Sequence, residues 1–181
     1  MKESTIVQFV FFDTTLDSDE FVLQWEHFNK LVTGHHEVTL LQKDDNKNVF
    51  RYVSLHKCSG SEFQFIFKKE RRLARFPEVE IKVKQAGGYV PLQVEHMEDA
   101  NANENKILAF INGTEADLDA YRQFPAYGKL NIYEAYYESC EYTYILEFFV
   151  ENIHANELLL HLKQQTSTSE TGIYKECLVH A

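Results

Sequence analysis

The sequence is short of cysteine, of long apolar runs and of clustered positive charge, and each shortage removes a class of protein. Three cysteines in 181 residues, Cys58, Cys140 and Cys177, form neither an even set nor a C-x-x-C pair. They support no disulfide framework and no zinc signature, and they point to a reducing, cytoplasmic setting. No window approaches the roughly 18 uninterrupted apolar residues that a membrane helix needs. The apolar stretch at residues 6–12 stops at Asp13 and offers no small-residue cleavage site, so it reads as a strand and not as a signal peptide. A formal net charge of −10 disfavours phosphate-rich partners, so neither nucleic acid nor an anionic membrane surface is expected. There is also no Gly-rich phosphate loop, no Ser-His-Asp order and no metal-ligand cluster; Gly87-Gly88 precedes a strand with no following helix and reads as a turn or bulge.

What is present is material for a core. The chain is 44% hydrophobic and carries 14 Phe and 10 Tyr with a single Trp, too apolar for a disordered polypeptide. Its order of elements occurs twice. Residues 6–12 are a β-rich run. Asp17, three residues before Glu20, is a helix N-terminus, and Phe21, Trp25, Phe28 and Val32 follow at helical spacing up to a stop at Gly34. Runs at 37–42 and 49–56 flank the polar turn 44–47 as a hairpin. Ser59 and Glu62 form a second capping pattern before Phe63, Ile66 and Phe67, and the region 79–94 holds a closing strand. After the polar stretch 96–105, read as a linker, the order returns in shortened form: strand 107–112, helix 116–124, strands 131–138 and 142–150, helix 156–165 and strand 173–179.

A βαββαβ unit makes a four-stranded antiparallel sheet with both helices on one face, leaving an apolar face to be covered. The expectation is an α+β protein of two tandem ferredoxin-like units, 1–95 and 106–181, with sheets packed face to face as an intramolecular pseudo-dimer. The chain would be a monomer on that plan, or a homodimer.

Several residues in this pattern resemble a known family. Phe21-x-x-x-Trp25-x-x-Phe28 followed by Gly34, the strand F-R-Y-V-S-L-H at 50–56, and Ser61-Glu62-Phe63 resemble the antibiotic biosynthesis monooxygenase-like group of dimeric α/β barrels. The resemblance covers most of the first repeat and, more loosely, the second. It implies the fold, while the activities of its members range over cofactor-independent monooxygenases, haem-degrading enzymes, isomerases and proteins without known activity. The function implied is a monooxygenase-like enzyme acting on a small hydrophobic or aromatic ligand with no cofactor; the alternative is a non-catalytic binding or assembly module.

Laying the repeats side by side singles out candidate residues. Asn112 falls opposite Phe11, and His161 falls opposite Ile66 on the stripe that carries Leu158 and Leu162. Two unpaired buried polar groups would each cost about 1–3 kcal/mol, which suggests a site; the plain alternative is a core histidine and a strand-end asparagine. The haem-degrading branch resembles this chain in a first-strand Asn and an iron-ligating His on its second helix, yet its second-helix Trp has no counterpart here. His56 shares a strand face with Phe50, Tyr52 and Ser54 and is either a general base or an interface histidine. His35-His36 follows Gly34 without ligands at metal spacing, so no metal is expected. Tyr133, Tyr137 and Tyr144, from a dense tyrosine set with Tyr136 and Tyr142, are candidate ligand contacts, as is Trp25, which otherwise serves as a core aromatic. The basic run 68–75 reads as a solvated helix face.

Overall fold

The computed structural model describes residues 5–33, 38–45, 50–64, 82–95, 104–124 and 128–177. The elements, in chain order, are β1 (Thr5–Asp13), α1 (Ser18–Thr33), β2 (Val38–Lys43), β3 (Tyr52–Ser59), β4 (Lys82–Gln93), β5 (Glu104–Ile111), α2 (Glu115–Arg122), β6 (Gly128–Ala135), β7 (Tyr144–Glu151), α3 (Ala155–Gln164) and β8 (Thr168–Glu176), with helical residues 60–64 between β3 and β4. The expected order of strands and helices is therefore present. His35, His36, the basic run 68–75 and residues 96–103 of the expected linker lie outside the described residues, whereas Glu104 and Asn105 open β5.

Two compact units share the chain, residues 1–88 with 176–181, and residues 89–175. In the first, β3 lies between β1 and β2, antiparallel to both, with Gln8 opposite His56 and Val10 opposite Ser54. The expected caps form. Asp17 Oδ1 accepts the Glu20 N–H at 2.9 Å, and Ser59 and Glu62 bond reciprocally, the Ser59 N–H to Glu62 Oε2 at 2.9 Å and the Glu62 N–H to Ser59 Oγ at 3.4 Å. Ile6, Val10, Phe12, Leu40, Tyr52 and Cys58 bury one sheet face against Phe21, Trp25 and Phe63, and the Phe21 and Tyr52 rings stack at 3.8 Å.

In the second unit the strand order is β8-β5-β7-β6-β4, all antiparallel. Ile107, Ala109 and Ile111 of β5 and Tyr144, Leu146, Phe148 and Val150 of β7 face Leu118 and Tyr121 of α2 and Leu158 and Leu162 of α3. Both central strands are buried on both faces, which explains their nearly continuous apolar sequence. α2 opens with a capping box absent from the sequence expectation: Asp117 Oδ2 accepts from the Thr114 N–H and hydroxyl, and these bonds hold its carboxyl below the usual range. Gly128 is required where β6 meets β7, because a Cβ there would overlap the Phe149 carbonyl oxygen.

Candidate functional site

Alternation along the strands sorts the candidates by face. In the second unit, odd-numbered β5 residues and even-numbered β7 residues face the helices. The opposite face carries Lys106, Leu108 and Phe110 from β5, Asn131 and Tyr133 from β6, and Ile145, Glu147 and Phe149 from β7. All are buried. Glu147 is directly opposite Asn131 on one side and Leu108 on the other, which brings four polar side chains together.

Glu147 is the centre of this group. Lys106 Nζ lies 3.1 Å from Glu147 Oε1, with the two side chains only 9% and 4% exposed. Glu147 Oε2 accepts the Tyr133 hydroxyl at 2.8 Å and the Asn131 Nδ2 at 3.2 Å. The ammonium also sits 5.3 Å from the centre of the Phe149 ring. The Tyr133 phenol is pushed well above its ordinary value, first by burial and then by the negative charge of Glu147, so it stays protonated and donates. Nearby on the same chain, Tyr89 donates to the Tyr142 carbonyl at 3.2 Å and is likewise raised, chiefly by burial.

The candidates named from sequence are dispersed. Tyr133 belongs to the Glu147 group. Tyr144 is buried on the other face, in the core against α2 and α3. Tyr137 is 38% exposed in the β6–β7 turn, its ring edge-on to Tyr136 at 4.7 Å. The expectation of a buried amide at position 112 is corrected: Asn112 lies just past the end of β5, is exposed, and donates from Nδ2 to Ser169 Oγ at 3.2 Å. His161 is half-buried beside the stripe of Leu158 and Leu162, its ring stacked on Phe124 at 5.9 Å. A solvent-facing Asn112 and a half-buried His161 do not assemble the buried Asn–His arrangement that the haem-degrading resemblance implies.

The first unit holds a second polar group. His56 is buried and its Nε2 lies 3.1 Å from Ser54 Oγ. Both share the face of Tyr52 and Cys58, which packs on Phe21 and Trp25, so His56 is turned toward its own unit's helix layer. Gln8, opposite His56 on β1, is buried with them. Trp25 is a buried core residue of this layer. The corresponding layer of the second unit contains Ile107, Ala109, Leu146 and Phe148, with no counterpart of His56 and Ser54 among them.

Sequence reasoning missed Glu147, Lys106 and Asn131. The signal was present in the repeat comparison, where F-R-Y-V-S-L at 50–55 aligns with Y-T-Y-I-L-E at 142–147 and sets Glu147 against Leu55. A carboxylate inside Y-I-L-E-F-F-V needs a buried partner.

No protein-family model matches the chain, and no curated protein matches it in sequence. Solved structures do match. A mutant chlorite dismutase from Candidatus Nitrospira defluvii aligns with TM-score 0.63 at 11% identity, over 99% of this chain and 94% of that one. The same enzyme in complex with imidazole aligns at 0.59 and 12% identity, over 99% and 93%. An anthrone oxidase-like protein aligns at 0.61 and 8% identity, over 97% and 92%. The chain shares the overall fold of these structures. At these identities the likeness concerns the fold alone. Among the described residues, no helix is long and apolar enough to cross a membrane, and no group of three or more His, Cys, Asp or Glu side chains is placed to hold a metal ion.

Proposed function

We propose that this chain is a monooxygenase-like enzyme of the dimeric α/β-barrel kind, acting without a resident cofactor on a small hydrophobic or aromatic molecule, with Glu147, Lys106, Tyr133 and Asn131 as the polar end of its site. The observation that carries this reading is the buried Lys106–Glu147 pair. A buried ion pair is a poor device for stability, since apolar replacements of similar volume are often neutral or stabilising. The first repeat has Leu55 where the second has Glu147, so this fold tolerates the apolar solution. Retaining the charges makes sense where they act on something, and Leu108, Phe110 and Phe149 supply an apolar surface beside them.

The chemistry would be proton abstraction followed by oxygenation. Glu147 takes a proton from an acidic C–H or phenol of an aromatic substrate, and the Lys106 ammonium stabilises the anion formed. The anion passes electrons to dioxygen. One oxygen atom ends on the substrate carbon as a carbonyl and the other leaves as water, which carries off the proton held by Glu147 and the second substrate hydrogen. The anthrone oxidase-like neighbour makes tricyclic ketones of the anthrone type the first substrates to try.

The arrangement that goes with this proposal is the tandem one, repeats 1–95 and 106–181 joined by 96–105, resembling the antibiotic biosynthesis monooxygenase-like group as a pseudo-dimer in the cytoplasm. His161, His56, Asn112, Trp25, Tyr137 and Tyr144 stand apart from the Glu147 group, and the proposal gives them no substrate contact.

A second reading, a non-catalytic binder, is favoured by the engagement of both Glu147 oxygens, which leaves the carboxylate committed to Lys106, Asn131 and Tyr133. One experiment separates the two. Anthrone and related hydroxylated aromatics are titrated by Tyr and Trp fluorescence while an oxygen electrode follows consumption. Saturable binding with oxygen uptake that Glu147→Gln abolishes supports the enzyme. Saturable binding without uptake selects the binder, and no saturable binding refutes both. Haemin serves as a control for the haem branch, where a saturable Soret shift lost in His161→Ala would revive it.

A further inference from the structure

Both ends of the Asn131 amide are engaged. Its Oδ1 accepts the backbone N–H of Glu95 at 2.9 Å, and its Nδ2 donates to Glu147 Oε2 at 3.2 Å. A backbone N–H can only donate, so the atom facing Glu95 must be the oxygen. The NH2 is then the end that meets the carboxylate. A flipped amide would set oxygen against carboxylate and NH2 against N–H, two repulsive contacts in a buried place.

Glu95 is itself clamped. Its Oε2 accepts the Leu130 N–H at 3.1 Å and its Oε1 accepts Gln93 Nε2 at 2.7 Å. The register of β4 on β6 slips between Pro91, opposite Tyr133, and Gln93, opposite Ile132. That irregularity carries the end of β4 past the β6 backbone, where Glu95 reaches both Leu130 and Asn131.

We infer that Glu95 is a positioning residue for the buried carboxylate: its backbone N–H, held in place by its own side chain on β6, selects the Asn131 amide orientation that donates to Glu147. The inference rests on Glu147 being the polar end of the site, and it concerns a residue that touches neither the carboxylate nor a substrate.

The test uses the full chain and nuclear magnetic resonance of two groups, the Asn131 side-chain NH2 and the Glu147 carboxyl carbon, near neutral pH. Glu95→Pro removes the N–H itself. It is expected to move both resonances toward those of solvent-exposed groups and to speed exchange of the Asn131 NH2 by about tenfold, the worth of one hydrogen bond. Glu95→Ala keeps the N–H but removes the clamp and is expected to move both resonances part of the way, which decides the matter if the proline variant does not fold. Glu95→Gln retains an oxygen acceptor for Leu130 and is expected to restore the wild-type resonances. A general loss of packing would disturb Leu146 and Leu158 on the opposite face equally, so their methyl resonances must stay in place.

Wild-type Asn131 and Glu147 resonances in either Glu95→Pro or Glu95→Ala would overturn the positioning role while leaving the proposed function intact. Moved resonances in a protein that binds none of the aromatic panel would refute the proposed function and leave the positioning role standing.

Discussion

Breaking the Lys106–Glu147 pair is the sharpest test of the second unit's interior. Lys106→Met removes the cation and keeps much of the side-chain volume. The carboxylate, only 4% exposed, is then left without its counter-ion. Removing one partner of such a pair costs roughly 3–5 kcal/mol, against about 0–1 kcal/mol for a solvated pair. For a chain of this length the larger figure corresponds to a fall in Tm of roughly 6–20 °C. Glu147→Leu should cost at least as much, because it strands the Lys106 ammonium together with the Tyr133 hydroxyl and the Asn131 NH2. The double variant, Lys106→Met with Glu147→Leu, removes both charges and leaves only the two neutral donors without an acceptor, about 1–3 kcal/mol each. The sum of the single losses should therefore exceed the double loss by about 4 kcal/mol. Urea unfolding followed by circular dichroism measures this, and Trp25 fluorescence reports the first unit separately. A loss below about 1 kcal/mol for Lys106→Met, or a coupling energy of zero, would show that the pair is solvated and remove the argument built on its burial.

Three further outcomes are expected. Burial, then the carboxylates of Glu141 and Glu170, push the Tyr142 phenol up to about 12; a folded value above the unfolded value of about 10 means that its stabilising contribution is complete below pH 10 or so and is lost as pH rises through the folded value. The urea midpoint should fall over that window alongside the phenolate absorbance that Tyr142→Phe removes, and titration of this group near 10 would contradict the burial. Gly128→Ala should cost roughly 3 kcal/mol, since the methyl meets the Phe149 backbone oxygen, whereas Gly60→Ala, whose methyl would meet only Ile6 Cδ1 at 3.9 Å, should change stability by less than about 0.5 kcal/mol in urea unfolding. Burial, then Glu176, raise the Cys177 thiol to about 11; its alkylation by iodoacetamide, read by mass spectrometry, should be much slower near neutral pH than that of glutathione and should climb until that value, and a rate equal to glutathione would refute the shift.

Periodicity and caps made the order of elements legible. The runs at 6–12 and 142–150 became β1 and β7, Asp17 and the Ser59–Glu62 pair start helices as their spacing requires, and Phe21 and Trp25 enter the core together. What could not be read was which sheet face each polar residue meets. Asn112 stands one residue beyond the end of β5, where alternation no longer assigns a face, and it turns to solvent. Tyr136 and Tyr137 fall in a turn, so the dense tyrosine set divides between a core, the Glu147 group and the surface. Glu147 was hidden by its neighbours, since the aromatic alternation around it matches that at 50–55, where Leu55 stands in its place. Only the pairing of β6 with β7 puts Asn131 opposite it, and only the pairing of β5 with β7 brings Lys106 within reach.

The crossing point between the two units falls inside a strand: β4 runs from Lys82 to Gln93, yet the first unit ends at Gly88 and the second begins at Tyr89. The chain end does the same in reverse, because residues 176–181 belong to the first unit and the Cys177 N–H donates to the Leu40 carbonyl at 2.8 Å. Scissors placed in the polar stretch after Glu95 would therefore not free two self-sufficient halves. The upstream fragment would carry away Tyr89, which bonds the Tyr142 carbonyl, and Glu95, which bonds Asn131, while the downstream fragment would keep the residue that closes onto Leu40. Each half is finished by a few residues on loan from the other side of that stretch.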